Sequence, residues 1–218
     1  MSSRRIALIS ATPLAITPAS DAIAETLPHA TVWNLLDDQL LKDAQQQGRI
    51  TEPLEHRMDA LIAVALQGGA DGVVLTCSQY GQRAQVRDRQ ADQVPVLSAD
   101  GPLFDEVLGQ APRRALLVAS LPAAAQDSME RLGAALAQAG LTTTLTPLVV
   151  PDAARPRPAQ ELAAILQQAI DGEAAFDLVV LAQYSLAPAA PDLRRHLSVP
   201  VLDGPSAAAR RLQAEIGG

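Results

Sequence analysis

The chain has 218 residues, a net charge of −7 and a single cysteine, and at ~150 residues per domain it amounts to about one and a half domains. Hydrophobic residues make up 48% and charged ones 19%, a globular balance, while aromatics reach only 2%, so the core rests mainly on Ala, Val and Leu. An acidic chain with no Lys/Arg cluster and few aromatics lacks the footprint of a nucleic-acid binder, and one cysteine excludes a disulfide framework or a Cys-rich zinc site.

At the start of the chain, Arg4-Arg5 ahead of an apolar segment could pass for a signal peptide, but Pro13 breaks the run and no small-residue cleavage site follows. The segment reads instead as a first buried strand, Ile6–Ser10, of a cytoplasmic protein. No apolar run reaches the ~18–20 residues that span a membrane. Beyond it, short apolar runs alternate with longer helix-like segments, the βαβ pattern of a parallel sheet. Further strands are predicted at Thr31–Leu35, Gly72–Leu75, Val94–Leu97, Ala115–Ala119, Thr143–Val149, Leu178–Leu181 and Val199–Leu202. The clearest helix is Glu52–Gln67, with Thr51 as N-cap and Leu54, Met58, Leu61, Ile62 and Ala65 on one face. Ser128–Ala139 and Glu161–Ile170 read the same way, with Gly140 at a helix C-terminus. The proline-rich stretch Pro147–Pro158 reads as a loop.

An internal repeat organises these elements. Asp71-Gly-Val-Val-Leu75 matches Asp177-Leu-Val-Val-Leu181, and Val94-Pro-Val-Leu97 matches Val199-Pro-Val-Leu202. Arg4-Arg-Ile-Ala-Leu-Ile9 matches Arg113-Arg-Ala-Leu-Leu-Val118 in the same order and at nearly the same spacing. The expected fold is α/β with two pseudo-symmetric lobes, each a roughly four-stranded parallel sheet flanked by helices, and an active cleft between them. The first lobe is expected to take 1–98 plus 204–218 and the second 99–203.

Parallel sheets place their chemistry at the carboxyl ends of their strands. In the first half those positions hold Ser10, Ala11, Thr12, then Thr76 to Tyr80, then Ser98 and Asp100. In the second they hold Ser120, then Ala182-Gln183-Tyr184-Ser185, then Asp203. Cys77 has two readings. It is an inert buried thiol of the common kind, or a thiol activated where the next helix begins. Ser78, Gln79 and Ser185 suit a carboxylate held at a helix start, and equally suit ordinary capping. Asp100 and Asp203 read as N-caps. Tyr80 and Tyr184 donate protons only if strongly perturbed, since a free phenol titrates near ~10. His29, His56 and His196 show no metal-ligand spacing, and nucleotide-binding and hydrolase motifs are absent from the sequence. No cofactor and no metal are expected.

The segment Gly69–Ser78, GADGVVLTCS, resembles the first cysteine segment of the aspartate/glutamate/hydantoin racemase superfamily, with Cys77 in the cysteine position. Phe176–Ser185, FDLVVLAQYS, resembles the second, but Gln183 stands where the second cysteine belongs. The N-terminal loop Ser10-Ala11-Thr12-Pro13 also lacks the acidic residue many racemases carry there. The resemblance is therefore to a branch lacking the second cysteine. It implies a cofactor-independent isomerase or racemase-type enzyme acting beside the carboxylate of a small acid or amino-acid-like substrate, with a homodimer as the assembly. Two-base racemisation needs a titratable group on each face of the carbon, and a glutamine amide is not one. One thiol suffices to protonate a decarboxylated acid on one face, or to add to an alkene and permit cis–trans isomerisation. The superfamily's decarboxylase also keeps one cysteine, in its second lobe. On this reading Cys77 is catalytic, Ser78, Gln79, Tyr184 and Ser185 bind substrate, Ser10 and Thr12 line the wall, and Gln183 donates a hydrogen bond opposite Cys77. The alternatives are a decarboxylase of a malonate-type acid, or a non-catalytic small-molecule-binding protein on the same scaffold.

Overall fold

The computed structural model describes residues 4–88 and 94–217. They form two compact units, 1–102 with 208–218 and 103–207. In the first, β1 (Arg5–Ser10), α1 (Ile16–Thr26), β2 (Thr31–Leu36), α2 (Leu40–Gln47), α3 (Glu52–Gln67), β3 (Gly72–Leu75), α4 (Gly81–Asp88) and β4 (Val96–Leu97) follow in order. The chain passes to the second unit within α5 (Gly101–Gln110). There it forms β5 (Arg114–Ala119), α6 (Pro122–Gln138), β6 (Thr144–Val149), α7 (Ala159–Asp171), β7 (Leu178–Leu181), α8 (Ala190–His196) and β8 (Val201–Asp203). It returns within α9 (Gly204–Ile216). Each sheet has four parallel strands, in the orders β2-β1-β3-β4 and β6-β5-β7-β8. The two-lobe α/β expectation is met.

The central strands are buried along nearly their whole length, as a parallel sheet covered on both faces requires. Side chains of β5 and β7 alternate between two cores. Leu116, Val118, Val179 and Leu181 join Leu166 and Leu193 on one face, while Ala115, Leu117, Leu178 and Val180 join Leu132 and Leu136 on the other. In the first unit, Ala7, Ile9, Val73 and Leu75 pack on Met58 and Ile62 of α3. Gly72 leaves room for α9, since a Cβ there would lie 2.8 Å from Leu212 Cδ2. Among the described residues no helix is long and apolar enough to cross a membrane.

Several boundaries differ from the sequence expectation for identifiable reasons. β4 and β8 begin two residues late because Pro95 and Pro200 contribute only a carbonyl, accepting from Val73 N and Val179 N at 2.9 and 3.0 Å. Pro147 lies inside β6 and not in a loop, which an edge strand tolerates. α6 opens six residues before Ser128, at Pro122, whose fixed φ suits the first helical position. Thr51 occupies the N-cap of α3, but its hydroxyl donates to Gln47 Oε1 (3.0 Å) and makes no capping bond.

The repeated aspartates fasten matching places. Asp71 Oδ2 accepts from Arg5 N at 2.7 Å while its own N–H donates to Arg5 O at 2.7 Å. Asp177 does the same with Arg114, at 2.9 Å in both directions. Each carboxylate thus joins the first residue of one central strand to the residue before the next.

Tyr80 anchors the segment after β3. It is 1% exposed, and its hydroxyl donates to Leu40 O at 3.1 Å. Burial, with the neighbouring Cys77 adding to it, pushes its phenol up to about 12. The folded chain therefore keeps a proton that the unfolded chain releases near ~10. Stability from this source is complete below pH ~10 and is lost as pH rises towards ~12. Tyr80→Phe is expected to lower stability by about 1 kcal/mol below that window through the lost bond to Leu40. It should also remove an alkaline decline of about 2–3 kcal/mol, read by urea unfolding across the window. A steeper decline in the variant would contradict this.

Ala111 takes φ +44°, whereas the other described residues with positive φ are Gly48, Gly69 and Gly140. Its N–H donates to Val107 O and Leu108 O, so it ends α5 in the left-handed position that glycine usually fills, just before Pro112. Ala111→Gly is expected to stabilise the chain by about 0.5–1 kcal/mol, because relief of the Cβ clash exceeds the entropy glycine adds to the unfolded chain. Denaturant midpoints check it.

Candidate active site

In an open parallel sheet the ligand crevice forms where strand order reverses, outside the carboxyl ends of the two strands that flank the reversal. In the first unit those strands are β1 and β3. Ser10 closes β1 and is wholly buried, and Thr76 follows β3. Thr76 N continues the ladder by donating to Ile9 O (2.9 Å), and Thr76 Oγ1 donates to Ser10 Oγ (2.9 Å), with Ile9 O a second acceptor at 3.4 Å. Cys77 comes next, half-buried against the core and extended at φ −114°, ψ 117°. It heads a single 3₁₀ turn, Ser78–Tyr80, that runs directly into α4. The thiol therefore stands before a 3₁₀ turn and not before the α-helix itself.

Two arginines of this unit, Arg57 and Arg83, are engaged by aspartates. Arg57 of α3 holds Asp37 with Nε and Nη2 (3.1 and 2.7 Å) and Asp43 with Nη1 (2.6 Å), and these bonds raise its pKa. Arg83 of α4 pairs with Asp59 of α3, Nε to Oδ1 at 2.9 Å, and that bond raises its pKa too. Both guanidiniums brace helices.

In the second unit the reversal lies between β5 and β7. Ser120 follows β5 and is 2% exposed, and Gln183 lies two residues beyond β7. Gln183 Oε1 accepts from Ser120 N at 2.6 Å and from Ser120 Oγ at 3.0 Å. Gln183 then heads the 3₁₀ turn Tyr184–Ala189, as Cys77 heads its own. Tyr184 is buried on that turn and Ser185 is half-buried. Asp203 ends β8 and caps α9. It accepts from Ser206 N (2.8 Å), Ser206 Oγ (2.9 Å) and Arg194 Nη2 (2.6 Å).

The structure thus joins Ser10 to Thr76, one residue from Cys77, and joins Ser120 to Gln183. Thr12 caps the turn Pro13–Ala15 by accepting from Leu14 N (3.4 Å), and Gln79 is exposed. Asp100 directly precedes α5, and Gly101 N at the start of that helix donates to Ser98 Oγ (3.0 Å). Tyr80 is buried with its hydroxyl donating to Leu40 O, and its phenol is pushed up to about 12, which does not suit it to act as a second base. The Ser120–Gln183 pair joins residues 63 positions apart, and only the likeness of the strands that precede them could have flagged it. Among the described residues no group of three His, Cys, Asp or Glu is arranged to hold a metal. A hollow of about 660 Å³ lined by Arg113, Arg114, Thr143 and Asp177 lies at the opposite, amino-terminal edge of the second sheet, away from these strand ends.

Comparison with known proteins follows the same lines. A family model described as Asp/Glu/Hydantoin racemase matches residues 6–212. Comparison with curated proteins gives no match. Among solved structures, the chain is similar to allantoin racemase from Klebsiella pneumoniae, at 20% identity and TM-score 0.68, over 99% of this chain and 88% of that one. It is also similar to an aspartate racemase homologue from Pyrococcus horikoshii OT3, at 13% identity and TM-score 0.70, over 99% and 100%. Unliganded arylmalonate decarboxylase matches at 20% identity and TM-score 0.60, over 99% and 94%. These likenesses concern the fold, and the family match extends over nearly the whole length. The chain belongs to the Asp/Glu/Hydantoin racemase family.

Proposed function

We propose that the protein is a cofactor-independent enzyme that performs proton or nucleophilic chemistry beside the carboxylate of a small acid, with Cys77 as its one reactive thiol. The observation that carries this reading is the position of Cys77. It is half-buried at the β1/β3 strand reversal, at the head of a 3₁₀ turn, one residue beyond the Ser10–Thr76 hydroxyl pair. Ser78 and Gln79 on that turn, with Tyr184 and Ser185 on the matching one, orient the substrate carboxylate, and Ser10 and Thr12 line the wall. Gln183 replaces the second thiol as a hydrogen-bond donor.

Chemistry that uses one thiol narrows the reactions. In decarboxylation of a malonate-type acid, the C–C bond electrons stay on carbon as CO₂ leaves, giving an enediolate. The Cys77 thiol then protonates one face of that carbon and regains its proton from solvent. In cis–trans isomerisation the thiolate adds to the alkene, the C–C bond rotates, and the thiolate leaves. The likeness to a decarboxylase favours keeping the first of these beside an isomerase reading.

Cys77→Ala and Cys77→Ser are expected to lower turnover at least ~10³-fold on whichever of a panel of amino acids, hydantoins, malonates and maleate is a substrate. Turnover that survives either change defeats the catalytic role. The thiol itself is expected to alkylate rapidly at neutral pH. A rate that rises only through the ordinary thiol range near ~8.5 would favour a binding protein instead.

A further inference from the structure

The amide of Gln183 has a single orientation. A main-chain N–H only donates, so the atom facing Ser120 N at 2.6 Å is the amide oxygen, and Nε2 points away from it. The Ser120 hydroxyl adds a second bond to the same oxygen at 3.0 Å. Ser120 is 2% exposed, so its N–H needs this partner, because a buried unpaired donor costs about 1–3 kcal/mol. Burial of Ser120 therefore holds the two together.

The first unit shows what this arrangement replaces. Ile9 pairs with Leu75 and Val118 with Leu181, so the rungs beyond them correspond. Ser10 and Thr76 answer to Ala119 and Ala182, and Ala11 and Cys77 answer to Ser120 and Gln183. Where one unit has a thiol and an alanine, the other has an amide and a serine that fixes it.

We infer that Ser120 is a positioning residue that turns the Gln183 amide so that its two N–H groups form a fixed donor for a carboxylate oxygen of the substrate. The identity of that anion rests on the function proposed above. Such a donor carries no charge and does not titrate in the working range, so it holds an anion without exchanging a proton with the neighbouring carbon. The second strand reversal is then a holding site, and proton or nucleophilic chemistry belongs to Cys77 alone.

The test uses the intact chain labelled with ¹⁵N-glutamine and titrated with malonate as the probe. The Gln183 side-chain resonance is assigned by its loss in Gln183→Glu, and Cys77 alkylation is followed in parallel. Malonate is expected to shift the Gln183 N–H pair and to slow alkylation. Ser120→Ala should weaken malonate binding ~3–10-fold, since the backbone bond remains, and Ser120→Thr should restore it. Gln183→Glu keeps an acceptor for Ser120 but presents oxygen to the anion, so it should weaken binding more than ~10-fold at neutral pH and recover as the pH falls. A Gln183 resonance unmoved by malonate overturns the inference, whatever the variants do. If alkylation nevertheless slows, the Cys77 reading stands without it. If Gln183 shifts and alkylation is unaffected, the donor stands without the Cys77 reading. Wild-type binding by Ser120→Ala overturns the positioning role.

Discussion

The carboxylates of Asp71 and Asp177 set the register on which both strand-end clusters depend. Each takes the first N–H of one central strand and returns its own N–H to the same residue. Side chains alternate along a strand, so a slip of one residue would turn Ser10 and Thr76 out of line and move Cys77 to the other face. The core enforces the same register, because the alternating faces of β5 and β7 fill two different apolar layers. Fastening at one edge thus places hydroxyl, thiol and amide at the other.

The repeat made the fold legible. Paired Arg-Arg, Asp-x-Val-Val-Leu and Val-Pro-Val-Leu segments mark corresponding strands, and the structure builds the same strand order twice. The boundaries slipped where proline acts through its missing N–H: at Pro95 and Pro200 a strand begins late, and at Pro147 a strand continues through. The aspartates inside the repeat were visible, but their task was not, because their partners lie more than sixty residues away. The same separation hid the bond between Ser120 and Gln183. Sequence order points to the strand ends; it does not say which side chains there bind one another.

The charges of Arg57 and Arg83 serve as support. Arg57 and Arg83 are carboxylate binders by type, and each is committed to aspartates that brace one helix against another or against the end of β2. The phenol of Tyr80 is pushed further from neutrality by its burial.

The corresponding rungs carry one further implication. The polar rung inside the first sheet, Ser10 with Thr76, becomes two alanines in the second, and the next rung out becomes serine with glutamine. A chain that repeats its architecture has therefore lost the exchange symmetry of its halves. Two copies of the first half would bring two thiols and no amide, and two of the second would bring none. The halves differ at neighbouring rungs in pairs, and in the second half the two exchanged residues, Ser120 and Gln183, bond to each other.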